Sequence, residues 1–173
     1  ELPIIPWKEI AGIKLYSTIF ELREIINNRK TKAYLLNNLW IRYEIENKLY
    51  LFFNLINGKL FKITALSEYK GKLFNTIYIG MDENELLKHD KTFIYDEFEE
   101  VYDSKVKGVF IETDPETHKI HEISIYIKEI ENKNKLEQQL KSEKLIRIEK
   151  EKLLNETKLL SLQMKMNPHF LFN

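Results

Sequence analysis

The chain has 173 residues and a mass of 20.9 kDa; 43% of the residues are hydrophobic, and 27 basic side chains cancel 27 acidic ones. A net charge of zero excludes a dominantly basic nucleic-acid binder and an acidic disordered tail. The absence of Cys excludes a disulfide framework, a thiolate metal site and a cysteine nucleophile, and the few Gly leave no glycine-rich phosphate loop.

Gly12–Ser17 reads as a short strand. Ser17 or Thr18 caps a helix running to about Asn28, with Ile19, Leu22, Ile25 and Ile26 on one face. Trp40–Glu46 alternates as a strand, and Leu49–Ile56 is a strongly apolar one. Asn57-Gly58 then marks a tight hairpin to Lys59–Leu66, in which Leu60, Lys62 and Thr64 oppose Phe61, Ile63 and Ala65. Lys72–Ile79 reads as a further strand, and Gly80-Met81-Asp82 leads into a short helix at Glu83–Lys88. Val106–Thr113 and Lys119–Ile127 form a second hairpin across Asp114-Pro115-Glu116-Thr117. The expected fold is α+β: an antiparallel curved sheet with one or two covering helices over residues 1–127.

All nine Tyr and both Trp lie in that first part, whereas Lys128–Met166 holds no aromatic, Gly or Pro. Its Glu, Lys, Gln and Leu predict one long helix of about 60 Å. So long and so charged a helix needs another helix to pack on. Leu145, Ile148, Leu159, Leu162 and Met166 fit one a/d register, with Lys152 and Asn155 in seam positions; Ile146, Leu153 and Leu160 form a second seven-residue series. The pattern predicts a parallel dimeric coiled coil through residues 130–166, with a discontinuity near residues 141–144. The alternative is a solvated helix, or a helix hairpin packed on its own sheet. No long apolar run crosses a bilayer, and no secretory signal is visible. A first residue of Glu1 rather than Met reads as a cut from a longer protein, with upstream membrane spans left open.

The chain closes on Asn167-Pro168-His169-Phe170-Leu171-Phe172-Asn173, preceded by the spacing Leu160-x-x-Gln163-x-x-x into Asn167-Pro168-His169. This run resembles the phosphoacceptor motif of LytS/YehU-type sensor histidine kinases. The resemblance implies that His169 is autophosphorylated by a C-terminal ATP-binding domain, which carries the ATP and Mg, and passes the phosphoryl group to a response-regulator aspartate. It also gives Asn173, one turn along the same face, a part in phosphoryl handling. Chemistry fits the assignment: imidazole near pH 7 is mostly neutral and nucleophilic. Pro168 biases Asn167 away from helical geometry, so Asn167-Pro168 sets a kink or restart beside His169. The competing reading is a helix stop with an apolar tail. With no ATP-binding domain in the 173 residues, this chain is expected to hold no cofactor and no kinase activity by itself.

Other chemistry is thinner. Acids crowd Tyr95–Asp103, with Glu112 and Asp114 nearby, but without EF-hand spacing, and a solvated edge explains them. His118 and His121, three apart on a strand, point to opposite faces, so no metal site is expected. His89 can satisfy the last carbonyls of the short helix. Tyr43, Tyr50, Phe52, Phe53, Phe61, Phe74 and Tyr78 can pack the core or line a ligand pocket, with Tyr43, Phe53, Phe61 and Tyr78 as the ligand candidates. The sequence therefore predicts a cytoplasmic sensor (1–127), a signalling helix (128–166) and the start of a phosphotransfer motif (167–173), partnered by a second copy, the ATP-binding domain and a response regulator. The alternatives are an immunity-like or scaffold binding module with a coiled coil, and a small enzyme in the sheet domain.

Overall fold

The computed structural model describes residues 2–104 and 108–166, and their side chains apart from those of 131–143 and 163–166. The chain divides into two compact units, residues 1–131 and 132–173.

The first unit opens with a small antiparallel sheet of β1 (Ile4–Ile5), β2 (Glu9–Ile10) and β3 (Ile13–Lys14). Ile4, Ile10 and Ile13 are buried, so these two-residue strands exist to plug three isoleucines into the core. The helix expected to run to Asn28 shrinks to α1 (Arg23–Ile26). The expected cap at Thr18 closes a turn ahead of the helix instead: the Thr18 N–H donates to the Glu21 carboxylate at 2.7 Å and the Glu21 N–H to the Thr18 hydroxyl at 3.2 Å, while α1 itself starts after Leu22, which makes no side-chain cap bond. The segment that follows is rich in β-branched Ile and ends in Asn27-Asn28, all weak helix formers. The Thr31 hydroxyl then donates to the Ile25 carbonyl at 2.9 Å, turning the chain into a strand.

Eight strands form one antiparallel sheet. In chain order they are β4 (Thr31–Leu35), β5 (Trp40–Ile45), β6 (Leu49–Asn54), β7 (Lys59–Ala65), β8 (Ile94–Asp96), β9 (Val101–Ser104), β10 (Val109–Thr113) and β11 (Ile120–Tyr126), arranged β4-β5-β6-β7-β11-β10-β9-β8. Strand β4 lies where the sequence predicts no element. Asn54 pairs with Lys59, so the hairpin loop has four residues, Leu55–Gly58, rather than Asn57-Gly58 alone. A register shift opposite Phe52/Phe53 makes Phe61 an extra residue in β7. This bulge breaks the expected alternation: Leu60 joins Ile63 and Ala65 on the core face, and Phe61 joins Lys62 and Thr64 on the other.

Lys72–Ile79 is not a strand. The Leu73 N–H donates to the Ile77 carbonyl at 2.8 Å and the Ile77 N–H donates back at 3.0 Å. Between them Phe74 and Asn75 adopt φ of +51° and +61°, a tight loop. Leu73 and Ile77 are both buried, so apolar burial here is served by a loop that tucks in two side chains. Next comes α2 (Glu83–His89), capped by the Asp82 carboxylate, which accepts from the Asn84 N–H at 2.9 Å.

The core is continuous. Leu49, Leu51 and Phe53 of β6 meet Leu60 and Ile63 of β7, Ile123 and Ile125 of β11 and Val109 and Ile111 of β10, with the small sheet and Leu86 of α2 packed on the same face. The second unit holds most of α3 (Lys128–Met166), a single helix of 39 residues.

Candidate functional site

Strand β11 ends at Tyr126 and α3 begins at Lys128, so one residue, Ile127, joins sheet to helix. The Ile127 N–H donates to the Phe61 carbonyl at 3.0 Å, and the Ile130 N–H to the Ile127 carbonyl at 3.2 Å. The Tyr16 hydroxyl donates to the Glu129 carboxylate at 2.6 Å, and the Lys128 ammonium lies 5.8 Å from the centre of the Trp7 ring. Burial, then the hydrogen bond to Glu129, raises the Tyr16 pKa; that same hydrogen bond lowers the Glu129 pKa. The first turn of the helix is thus tied to the N-terminal segment and to β7.

Further along α3, Leu145, Ile146, Ile148, Leu153, Leu154, Leu159, Leu160 and Leu162 are all exposed in the single chain. The apolar members of both series whose side chains are described are therefore exposed in the single chain. The phosphoacceptor candidate His169, with Asn167, Pro168 and Asn173, lies outside the described residues.

The four aromatic ligand candidates occupy three places. Tyr43 and Phe53 meet edge to face at 5.7 Å on the core side of the large sheet. Phe61 is on the opposite side, 5.4 Å from Trp40 and 6.3 Å from Phe52. Tyr78 is partly exposed beside Lys72, 5.6 Å from its ammonium.

That opposite side carries an arrangement the sequence reading missed. Cross-strand pairing lines up Tyr34, Arg42, Phe52, Lys62 and Tyr126 in one row over β4, β5, β6, β7 and β11. The neighbouring row runs Lys32, Glu44, Tyr50, Thr64, Ser124 and Phe110. At its centre the Thr64 and Ser124 hydroxyls lie 2.8 Å apart and are buried. Beyond them Glu112 and Glu122 stand directly opposite each other. Burial, then the Glu112 charge, pushes the Glu122 carboxyl up, against the pull of His121, Lys62 and Arg42. Burial pushes the Lys62 ammonium down, with Glu112 and Glu122 acting against it. Alternation in β5 was visible in the sequence, but β4 was not, and the row needs the register of five strands.

The acids of Tyr95–Asp103 are distributed around a β8–β9 turn. Asp96 accepts from the Phe98 and Glu99 N–H groups at 2.9 and 3.2 Å, and Asp114 likewise holds the β10–β11 turn through Glu116 and Thr117. His118, at φ +55°, lies 3.0 Å from the Glu83 carboxylate, which also accepts from the Tyr102 hydroxyl at 3.2 Å. His89 sits 3.7 Å from Glu85, one turn back. Among the described residues no three His, Asp or Glu side chains are grouped to hold a metal ion, and no helix is long and apolar enough to cross a membrane.

No protein-family model matches the chain, and no curated protein matches it. Among solved structures, it is similar to a cysteine-rich secretory protein from Staphylococcus aureus at 14% identity and a TM-score of 0.48, over 73% of this chain and 48% of that one, about half its length. A likeness that slight carries no functional argument.

Proposed function

We propose that the chain is the sensor and dimerisation part of a two-component histidine kinase, with His169 as phosphoacceptor. The observation that carries this reading is the run Asn167–Asn173, set at the end of a helix that begins one residue after the last strand of the sheet. On this reading the α+β unit, its sheet curved, receives a signal. Two copies of α3 pair as a parallel coiled coil and cover the exposed leucines. An ATP-binding domain with ATP and Mg then phosphorylates His169 for transfer to a response-regulator aspartate, in the cytoplasm where ATP is available.

The phosphoryl step is a substitution at phosphorus. The neutral imidazole nitrogen of His169 attacks the γ-phosphorus of ATP, the bond to the β–γ bridging oxygen breaks, ADP leaves, and the imidazole proton passes to a base. Asn173 can donate an amide hydrogen bond to the phosphoryl oxygens.

Incubating the chain with the parent kinase's ATP-binding domain and γ-labelled ATP tests the reading. Acid-labile, base-stable label that His169→Gln abolishes is the expected result. Label that is absent, or indifferent to His169→Gln, overturns it.

A further inference from the structure

We propose that the face of the large sheet turned away from the core binds a small organic anion with a flat apolar body, the carboxylate on Arg42 and the body against Phe52. The inference stands apart from the phosphotransfer reading, because it concerns the sheet unit alone.

Arg42 is the anchor. Its guanidinium lies 4.9 Å from the centre of the Tyr34 ring and 4.4 Å from that of Tyr50. Two tyrosines thus hold one cation, which fixes the plane of the fork at little further loss of rotamer freedom. Its Nε is buried and has no hydrogen-bond partner. An N–H taken from water and left unpaired is costly, and such groups in native proteins are ordinarily satisfied. Among the described residues Arg42 makes no ion pair. A guanidinium preset by stacking, with unused in-plane donors, matches the two oxygens of a carboxylate.

Charge and shape around Arg42 define the rest. Phe52 is its cross-strand neighbour, and Lys62 is the neighbour of Phe52, with its ammonium 5.1 Å from the Phe52 ring centre. An aromatic floor therefore lies between two cations. Lys62 is balanced in part by Glu112 and Glu122 further along the face. Glu44 is the cross-strand neighbour of Lys32 on one side and of Tyr50 on the other. Among the described residues no carboxylate lies within ion-pair distance of Arg42, so its donors are left for an incoming anion. A flat body laid on Phe52 buries apolar area that inorganic phosphate or acetate cannot offer.

The side-chain Nε–Hε signals of the four arginines of the 15N-labelled chain report this directly. The Arg42 signal is assigned by its loss in Arg42→Lys. Titration with benzoate is expected to shift that one signal saturably, with affinity at least about tenfold above that of acetate or inorganic phosphate. Phe52→Leu should remove most of that advantage while leaving the spectrum of the fold unchanged, and Arg42→Lys should weaken benzoate binding, followed on backbone amides, about tenfold. No saturable shift, equal shifts at all four arginines, or benzoate bound no tighter than acetate overturns the proposal.

Discussion

The Tyr16 hydroxyl and the Glu129 carboxylate, 113 positions apart in the chain, meet at 2.6 Å and fasten the N-terminal segment to the first turn of α3. Tyr16 adopts φ of +68°, so the backbone is bent into the left-handed region to deliver this side chain. Replacing Tyr16 with Phe is expected to speed hydrogen exchange of the first-turn amides of α3 several-fold while the sheet amides are unaffected. The pH dependence follows from the two shifts. A lowered Glu129 pKa means the contact stabilises above the ordinary carboxylate pKa and is lost as pH falls through the depressed value. A raised Tyr16 pKa means it is lost again as pH rises through the elevated phenol value. The several-fold excess protection of those amides should therefore be flat between the two limits in the parent chain and missing from the Phe variant throughout.

Leu159→Asp with Leu162→Asp sets two charges per chain into the proposed seam. The expected cost to the dimer is several kcal/mol, roughly 3 or more, with little effect on melting of the sheet unit. Sedimentation at tens of micromolar should show a dimer for the parent and a monomer for the variant.

One residue between β11 and α3 leaves little slack for a signal to dissipate. The two apolar series, one through Leu145 and Ile148 and the other through Ile146 and Leu153, offer alternative seams. On the proposed reading, inserting from one to seven residues near Lys141 in the longer protein should make autophosphorylation oscillate and recover at a full heptad. Activity that is constant across the series would identify a rigid spacer instead.

Like charges directly opposite on neighbouring strands are destabilising, by up to about 1 kcal/mol. Glu122→Gln is therefore expected to raise the melting temperature at neutral pH, read by thermal unfolding. The raised pKa of Glu122 gives the sign: the folded parent binds this proton more tightly than the unfolded chain, so the parent gains as pH falls through that value. The advantage of the Gln variant should shrink over the same window.

Gly108 sits at φ +63°, and a Cβ there would lie 2.5 Å from the Trp7 ring atoms. Gly108→Ala should destabilise the sheet unit by about 1–3 kcal/mol, through backbone strain and displacement of Trp7. A denaturant titration of both proteins measures it.

The sequence made some elements legible and concealed others for physical reasons. α3 stood out because thirty-nine residues free of aromatics, Gly and Pro admit little else. Strand β4 was hidden because four of its five residues are exposed, on both faces, which removes the alternation that marks a half-buried strand. Leu73 and Ile77 suggested a strand through their apolar, β-branched company, yet two positive φ angles between them bend the chain into a loop. For the site, the terminal motif could be read as consecutive letters. The Tyr34–Arg42–Phe52–Lys62–Tyr126 row could not, since its members are separated by loops and one bulge, and only strand register brings them together.

The two margins of the large sheet are unequal. β8 is three residues long and runs straight into a turn bearing Glu97, Glu99 and Glu100, so an approaching strand meets little backbone and much negative charge. β4 is five residues long, mostly exposed, and ends on Leu35, followed by Leu36, both open to solvent. Its nearby cations are Arg29, Lys30 and Lys32, of which Lys30 is paired with Glu46. Self-association through backbone pairing, whether in overexpression or on partial unfolding, should therefore begin at β4, and a proline at Ala33 would be the economical way to suppress it.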